Sequence, residues 1–419
     1  MILGKKNIRC GLIGEKLSHS FSPQIHRHLA DYSYELFEMS ESEVGDFLTS
    51  DRFDSTNVTI PYKKTVMPFL DEISGEALRI GSVNTITRTR SGGLRGDNTD
   101  YFGFSYMMRK SGIDICGKNV IILGTGGASL TARTVCGDMG AKKITFVSRT
   151  GEINYDNVYA LCADTEVIIN CTPVGMYPKN LVSPIELGRF GHLEGVADMI
   201  YNPSKTLLLL EAERLGIKYI NGLSMLVAQA KRATELFLDE KIDDSEIDRI
   251  VSLIENETMN IILVGMPGCG KSTVASLIAK ATGRELVDTD ALVSEGEGCS
   301  IPEIFASHGE DYFRACEHRA AEAAGKLSGK VIATGGGIVT RRENLDALRQ
   351  NGKVFFIERD ISLLSRDGRP LSQGSNLNAM YEKRLPLYKE FADFTVKNAG
   401  AISDCAEEII RLYDAGCQK

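Results

Sequence analysis

Residues 264–273 read VGMPGCGKST, and the apolar run MNIIL at 259–263 stands directly before them. The pattern Gly-x-x-x-x-Gly-Lys-Ser begins at Gly265, and apolar residues recur after it at helical spacing. Backbone N–H groups at a helix N-terminus bind phosphate oxygens, and glycines let the backbone approach them closely. In such a loop Lys271 reaches the β- and γ-phosphates, and the Ser272 hydroxyl ligates Mg²⁺. The stretch therefore predicts a strand, a phosphate-binding loop and a helix that bind a nucleoside triphosphate. The expected nucleotide contacts are Gly265, Gly268, Cys269, Gly270, Lys271, Ser272 and Thr273.

The composition is that of an ordinary soluble protein with a surplus of acidic residues. The chain has 419 residues, of which 43% are hydrophobic and 25% charged, and its formal net charge is −8. This length suffices for two or three domains, and the negative charge argues against a nucleic-acid partner. No apolar run reaches the about 18 residues that a membrane helix needs, and the N-terminus lacks a signal-peptide pattern. We therefore expect a cytoplasmic protein that acts on small molecules.

Strand and helix patterns alternate along the whole chain, and no internal repeat interrupts them. This alternation favours α/β domains built on open parallel sheets with helices on both faces. We expect an N-terminal α/β domain at 1–100, completed by two helices within 223–254, and a Rossmann-like domain at 101–222. A short polar linker at 255–258 is expected to precede a P-loop α/β domain, like that of the nucleoside-monophosphate kinases, at 259–419.

A second glycine-rich loop follows the apolar run KNVIIL at 118–123. The string GTGGAS at 124–129 opens a helical pattern, and another apolar run at 143–147 lies one helix further on. A NAD-binding fold places an acidic residue after that second strand to bind the ribose 2′-hydroxyl, whereas this chain has Arg149 in the string SRT. A guanidinium there suits a 2′-phosphate, so NADP is favoured over NAD. The expected cofactor contacts are Gly124, Gly126, Gly127, Ala128, Ser148, Arg149 and Thr150.

Six further strings stand in a fixed order before the phosphate-binding loop. They are SHSFSP at 18–23, NVTIPYK at 57–63, GSVNT at 81–85, GDNTD at 96–100, NCTPVGM at 170–176 and NGLSMLVAQA at 221–230. In this order they resemble shikimate dehydrogenase from residue 1 to about 255. The resemblance implies that NADPH reduces 3-dehydroshikimate to shikimate in this part of the chain.

The resemblance also implies roles for individual residues. Lys63 corresponds to the catalytic lysine and Asp100 to its carboxylate partner, while Ser20 and Ser22 match the serines that bind the substrate carboxylate. These roles agree with the chemistry, because ketone reduction needs a proton donor where the alkoxide develops. Gly222 is implied as a further NADP contact. The other implied substrate contacts are Thr59, Asn84, Tyr201 and Gln229.

Downstream of the phosphate-binding loop, the string VDTD at 287–290 ends a predicted strand. Two carboxylates one residue apart on a strand point the same way, so Asp288 can hold Mg²⁺ while Asp290 orients an acceptor hydroxyl. Four more strings follow it. They are FRACE at 313–317, IATGGG at 332–337, GRPL at 368–371 and KRLPLY at 383–388. In this order they resemble shikimate kinase over residues 259–419.

The second resemblance implies ATP-dependent phosphorylation of shikimate. Arg314 and Arg384 would hold the substrate carboxylate, Asp290 would contact the acceptor hydroxyl, and Arg369 would meet the transferring phosphate. Paired Arg–carboxylate contacts and an arginine at developing phosphate charge are physically sensible in these places. The substrate ring is expected to lie against the backbone of Gly335, Gly336 and Gly337.

Together the two resemblances predict a bifunctional enzyme whose first product is the substrate of its second reaction. Two alternatives remain open at this point. One is a quinate or shikimate dehydrogenase joined to a kinase for a related hydroxylated acid, because the carboxylate-binding residues fit any such ring. The other is a metabolite-sensing protein without catalysis, which would require loss of a chemical residue such as Lys63 or Lys271.

Overall fold

The structure, a computed structural model, describes residues 7–17, 20–364 and 377–416. These residues divide into two compact units. The first lies within Met1–Gly175, Val182–Tyr201 and Glu211–Val251, and the second within Met176–Leu181, Asn202–Leu210 and Ser252–Lys419. The predicted α/β class is confirmed, with two sheets in the first unit and one in the second.

The N-terminal sheet is mixed, whereas the sequence pattern favoured parallel sheets throughout. Its strand order is β2-β1-β3-β5-β6-β4, and the β3–β5 and β5–β6 pairs are antiparallel. The β5–β6 connection at 89–93 is too short for the crossover that parallel neighbours need. The strands are β1 Arg9–Gly14, β2 Ser33–Glu38, β3 Ser55–Val58, β4 Glu72–Ile73, β5 Thr85–Arg88 and β6 Leu94–Asp97.

The second sheet of this unit is parallel in all of its pairs. Its strand order is β11-β10-β9-β7-β8, so β8 lies on one side of β7 and the later strands lie on the other. In open α/β sheets, ligands bind at the carboxyl ends of the strands beside such a switch in strand order. The strands β7 and β9 are buried almost throughout, which explains why they are continuous apolar runs in the sequence. The strands are β7 Asn119–Leu123, β8 Lys143–Val147, β9 Val167–Asn170, β10 Gly195–Asp198 and β11 Lys218–Ile220.

The second unit holds a parallel sheet of order β13-β14-β12-β15-β16. Its central strand β12 is buried along its whole length in the largest apolar core of this unit. The phosphate-binding loop follows β12, so packing of β12 in this core fixes the residue at which the loop begins. The strands are β12 Asn260–Val264, β13 Leu286–Asp288, β14 Val331–Ala333, β15 Gly352–Glu358 and β16 Phe394–Lys397.

Helices cover the sheets, and the two predicted within 223–254 are present as α8 and α9. Residues 255–258, expected as a linker, form the last turn of α9. Of the described helices, none is long and apolar enough to cross a membrane. The helices are α1 Ser22–Leu29, α2 Val44–Thr49, α3 Gly75–Ile80, α4 Asp100–Ser111, α5 Gly127–Asp138, α6 Val158–Leu161, α7 Leu207–Arg214, α8 Leu223–Leu238, α9 Ser245–Thr258, α10 Lys271–Thr282, α11 Thr289–Glu297, α12 Ile301–Gly325, α13 Arg342–Arg349, α14 Leu377–Phe391 and α15 Ile402–Gly416.

Candidate active sites

The first unit contains a close lysine–carboxylate pair. Lys63 Nζ lies 2.6 Å from Asp100 Oδ2, and the two side chains are 24% and 14% exposed. Lys63 is placed by its carbonyl, which accepts from Val83 N at 2.8 Å, and Asp100 is the first residue of α4. The pair is therefore held by backbone structure on both sides while it stays open to a ligand.

Beside this pair, the amide of Asn84 has only one orientation that satisfies its neighbours. Its Oδ1 accepts hydrogen bonds from Thr99 N at 2.7 Å and from Thr85 Oγ1 at 3.0 Å. Asn84 is 3% exposed, and a buried carbonyl oxygen flanked by two donors cannot exchange places with the NH₂ group without losing both bonds. Asn84 therefore presents Nδ2 to the site as a hydrogen-bond donor.

Gln229 and Tyr201, two further residues implied in substrate binding, lie on separate elements. Gln229 on α8 donates from Nε2 to Leu226 O at 2.9 Å, and its Oε1 lies 3.5 Å from Thr99 Oγ1. The Tyr201 ring packs edge-on against Phe21, with ring centroids 5.6 Å apart, and burial raises the pKa of Tyr201. The phenol therefore remains a hydrogen-bond donor at neutral pH.

The two serines implied in carboxylate binding lie at the start of α1. Ser22 is the first residue of this helix, and its backbone N–H donates to Ser20 Oγ at 3.2 Å. A helix N-terminus favours negative charge, so the position suits a carboxylate. Thr59 follows β3 at the same sheet, and its N–H donates to Ile13 O at 3.0 Å. No contact among the described residues joins the serines directly to Lys63.

A buried polar network, which no sequence motif indicates, connects α1 to Asn84. His26 of α1 stacks on Tyr34, with ring centroids 4.0 Å apart, and Tyr34 OH donates to Asn57 Oδ1 at 2.9 Å. Asn57 Nδ2 in turn donates to Thr85 Oγ1 at 3.2 Å. Burial lowers the pKa of His26 to about 3, so this ring is neutral and the network carries no net charge at neutral pH.

The dinucleotide loop lies between β7 and α5, at the switch point of the second sheet. Gly124 has a φ of 97°, which favours glycine, and Gly126 precedes the first turn of α5. A Cβ atom added at Gly126 or Gly127 would meet nothing within 4 Å, so both faces are open to a ligand. Such an open loop suits the pyrophosphate of a dinucleotide, because the helix N-terminus behind it supplies N–H donors.

The other expected cofactor contacts surround this loop. Ala128 is half-buried in the first turn of α5, and Ser148, Arg149 and Thr150 follow β8. Arg149 is exposed, as a residue that meets a 2′-phosphate must be. Gly222 packs tightly instead, since a Cβ there would lie 2.1 Å from Met199 O. Its structural role is close backbone approach, and its contact with NADP remains a prediction.

In the second unit the phosphate-binding loop has its expected form. It joins β12 to α10, and Gly265, Gly268 and Gly270 have φ values of 154°, 84° and 100°. Lys271 Nζ donates to Gly265 O at 2.9 Å and to Met266 O at 3.1 Å, so its ammonium group lies over the loop. The Cys269 side chain is buried, while Ser272 and Thr273 are exposed in the first turn of α10.

The prediction that two carboxylates point the same way along a strand is wrong. Strand β13 ends at Asp288, and Asp290 lies in the first turn of α11. Asp288 Oδ1 caps this helix by accepting from Asp290 N at 2.9 Å, and its Oδ2 lies 3.5 Å from Ser272 Oγ. With Oδ1 used in the cap, Asp288 Oδ2 remains beside Ser272 Oγ, and these two oxygens can share a Mg²⁺ ion. Asp288 and Asp290 therefore lie at a helix N-terminus and not side by side along a strand.

Asp290 faces a cavity of about 200 Å³ that is lined by residues of the loop, the glycine string and both substrate arginines. Burial raises the pKa of Asp290 to about 6, and the nearby carboxylates of Asp288 and Glu317 act in the same direction. The group can therefore gain and lose a proton close to neutral pH, which suits a group that accepts a proton from a hydroxyl.

Arg314 and Arg384 both contact the glycine string at 335–337. Arg314 Nη1 donates to Glu317 Oε2 at 2.8 Å, and Arg384 Nη1 donates to Gly336 O at 3.1 Å. A Cβ at Gly337 would lie 2.0 Å from Arg314 Nη1, so the guanidinium packs directly on the backbone there. Glu317 was part of a quoted motif, but its position as the buried counter-charge of Arg314 could not be inferred without the helix geometry.

Gly335 completes this wall, because its N–H donates to Thr289 Oγ1 at 3.1 Å and its face lies against Asp290. The structure thus brings together all expected kinase residues except Arg369. Arg369 lies outside the described residues, and its role remains a prediction.

Comparison with known protein families gives two matches at different parts of the chain. The shikimate dehydrogenase substrate binding domain family matches residues 12–86. The shikimate kinase family matches residues 267–414. The first range contains Lys63, and the second contains Lys271 and Asp290.

Relatives matched over nearly their full length cover more of the chain than the first family match does. The shikimate dehydrogenase (NADP(+)) of Clostridium beijerinckii is 38% identical over 267 residues, which are 59% of this chain and 98% of the relative. That of Methanococcus maripaludis is 35% identical, over 58% of this chain and 96% of the relative.

Solved structures of shikimate dehydrogenases are also similar to this chain. A chorismate mutase/shikimate 5-dehydrogenase fusion protein from Clostridium acetobutylicum is 40% identical with a TM-score of 0.56, over 58% of this chain and 96% of that one. Shikimate 5-dehydrogenase from Listeria monocytogenes, in complex with shikimate and NAD, is 27% identical with a TM-score of 0.52, over 58% and 96%. Both predicted resemblances are confirmed. The chain belongs to the shikimate dehydrogenase family and carries a shikimate kinase domain in the same polypeptide.

Proposed function

We propose that this chain reduces 3-dehydroshikimate to shikimate with NADPH and phosphorylates shikimate to shikimate 3-phosphate with ATP and Mg²⁺. The family matches support an enzyme with both activities, and the NADP(+)-dependent relatives support the choice of NADP. The observation that carries the proposal is the presence, in one chain, of the Lys63–Asp100 pair and of the Lys271 loop with its two carboxylates.

In the reductase site, Lys63 donates a proton to the ketone oxygen, on which negative charge develops. Asp100, 2.6 Å from the lysine Nζ, holds that ammonium group and accepts from a neighbouring ring hydroxyl. Asn84 donates from Nδ2 to the substrate, and Ser20 and Ser22 bind its carboxylate. NADPH bound along residues 124–129 supplies the hydride.

In the kinase site, Asp290 accepts the proton of the attacking hydroxyl as the oxygen approaches phosphorus. Arg314 and Arg384 hold the substrate carboxylate with charge-assisted hydrogen bonds. Lys271 binds phosphate oxygens of ATP. Ser272 and Asp288 would hold Mg²⁺, which neutralises phosphate charge when it is bound. In this proposal the attacking hydroxyl and the transferable phosphate meet in the one cavity that Lys271, Asp290 and both arginines line.

The test uses the purified full-length chain and two separate assays. Loss of NADPH absorbance must depend on added dehydroshikimate, and ADP formation must depend on shikimate and Mg²⁺. Turnover in both assays supports the proposal. Absence of both activities in a folded, nucleotide-binding protein would support the sensing alternative and refute this one.

A second candidate substrate for the reductase site is quinate. Quinate dehydrogenase from Corynebacterium glutamicum, in complex with NAD, is 25% identical to this chain with a TM-score of 0.52, over 57% of this chain and 97% of that one. Steady-state oxidation of shikimate and quinate, each with NADP and NAD, distinguishes the two candidates. We expect the highest kcat/KM for shikimate with NADP, because Arg149 follows β8 and is exposed, and an arginine near this position suits a 2′-phosphate. A preference for quinate with NAD would remove the biosynthetic assignment.

A further inference from the structure

An arginine outside every motif lies beside the phosphate-binding loop. Arg359 directly follows β15, which is the parallel neighbour of β12 with Val264 opposite Phe356. The carboxyl ends of parallel neighbours meet at one edge of the sheet, so the chain after β15 lies next to the loop after β12. The guanidinium reaches this loop, because Nη1 is 3.7 Å from the position of a Cβ on Gly270.

The guanidinium of Arg359 has no partner within the part of the chain that the structure describes. Its Nε is buried and makes no hydrogen bond. Glu358 and Asp360 flank it in the sequence, but neither forms an ion pair with it, and Asp360 Oδ1 accepts from Ser362 N at 2.8 Å instead. An arginine carries five N–H donors and a permanent charge, so a half-buried guanidinium without a counter-ion is suited to an incoming anion.

The backbone beside Arg359 is held in place from the other side. Asn398, which follows β16, donates from Nδ2 to Cys269 O at 2.8 Å. The same Nδ2 would lie 2.9 Å from a Cβ on Gly270, so this face of the loop is packed closely against the residues that follow β15 and β16. Gly270 immediately precedes α10, whose N-terminal N–H groups face phosphate. The backbone that carries Arg359 is thus held beside the loop at which phosphate would bind, while its guanidinium remains unpaired among the described residues.

We propose that Arg359 is a nucleotide-binding residue that donates from its guanidinium to phosphate oxygens of ATP and ADP. This inference rests on the proposed kinase function and adds a cation that Lys271 alone does not supply. Arginine binds phosphate through paired N–H···O contacts, which also orient the phosphate chain.

The test compares full-length R359A and R359K with the control R411A. Arg411 is an exposed arginine of α15 that pairs with Glu408 on the surface, so its removal changes the net charge equally but leaves the loop intact. We expect the Kd of ADP from titration calorimetry and the KM of ATP to rise roughly 10- to 100-fold in R359A. R359K should recover part of this loss, and R411A should resemble the wild type.

Four further readouts separate phosphate binding from other roles. The KM of shikimate and the reductase rate should not change in R359A, and the melting temperature without nucleotide should match the wild type, because Arg359 bonds to no described residue. Competition by adenosine should be equal in R359A and wild type. An unchanged Kd for ADP in R359A, or an equal loss of adenosine binding, would overturn the proposal. If the wild type itself binds neither ATP nor ADP, the proposed kinase function is refuted, and the proposal for Arg359 is refuted with it.

Discussion

At the scale of single residues, hydrogen-bond direction decides what each polar side chain of the reductase site offers to a substrate. The ordered motifs predicted Lys63, Asp100 and Asn84 as site residues through the resemblance to shikimate dehydrogenase, and the lysine and carboxylate also agree with the chemistry of ketone reduction. They could not predict that Thr85 and Thr99 fix the Asn84 amide. Thr85 is typical of a strand such as β5, and Thr99 donates from its backbone N–H, which its residue type does not reveal. Arg359 escaped prediction for a related reason, because it belongs to no motif.

Replacing Thr85 by valine should weaken substrate binding at the reductase site. The hydroxyl that donates to Asn84 Oδ1 at 3.0 Å is lost, so the amide is less strongly held with Nδ2 toward the substrate. We expect the KM for dehydroshikimate to rise roughly 3- to 10-fold, the equivalent of about one neutral hydrogen bond. Phosphorylation should be unchanged. T87V on the same strand is the control, and equal KM values in both variants would refute the orientation.

Phosphorylation should depend on the protonation of Asp290. Burial raises its pKa to about 6, so the carboxylate that accepts the hydroxyl proton predominates only above that pH. The kcat/KM for shikimate should therefore rise through this pH range and approach a roughly tenfold fall for each pH unit below it. D290N should lose most activity and show no such step. A wild-type profile that stays flat from about one pH unit below this pKa to about one unit above it would contradict the role.

At the scale of elements, the sequence predicted the loops better than the junctions. Glycine spacing after an apolar run identified both loops that follow β7 and β12, because each loop needs open backbone beside a helix N-terminus. The β13–α11 junction was assigned to a strand, because helix capping by Asp288 depends on where the strand ends. The antiparallel pairing of β5 and β6 was not predicted either. It follows from the short connection at 89–93, whose length is known only once the ends of both strands are known.

The close packing of the glycine string on Arg314 predicts a strong effect of one methyl group. In G337A the new Cβ would lie 2.0 Å from Arg314 Nη1, so the guanidinium must shift from its present place in the cavity wall. We expect the KM of shikimate in the kinase reaction to rise roughly tenfold, as for a lost charge-assisted bond. G296A, where a Cβ meets nothing within 4 Å, is the matched control. Similar KM values for G337A and wild type would refute the contact.

At the scale of the whole molecule, each reaction is assigned to residues of a different unit. Lys63 and Asp100 belong to the first unit, and Lys271 and Asp290 to the second. K63A should lower the reductase rate roughly 100- to 10,000-fold, as expected for loss of a proton donor, and leave phosphorylation intact. K271A should do the reverse. Separate assays of both variants check this, and the loss of both reactions in a folded single variant would contradict separable sites.

The most direct test of the two-reaction assignment gives the purified chain dehydroshikimate, NADPH, ATP and Mg²⁺ together and follows all products by mass spectrometry. We expect that shikimate appears first and shikimate 3-phosphate follows, that K63A forms neither, and that K271A stops at shikimate. Formation of no shikimate 3-phosphate by the wild type, with both nucleotides present and the protein folded, would contradict the assignment.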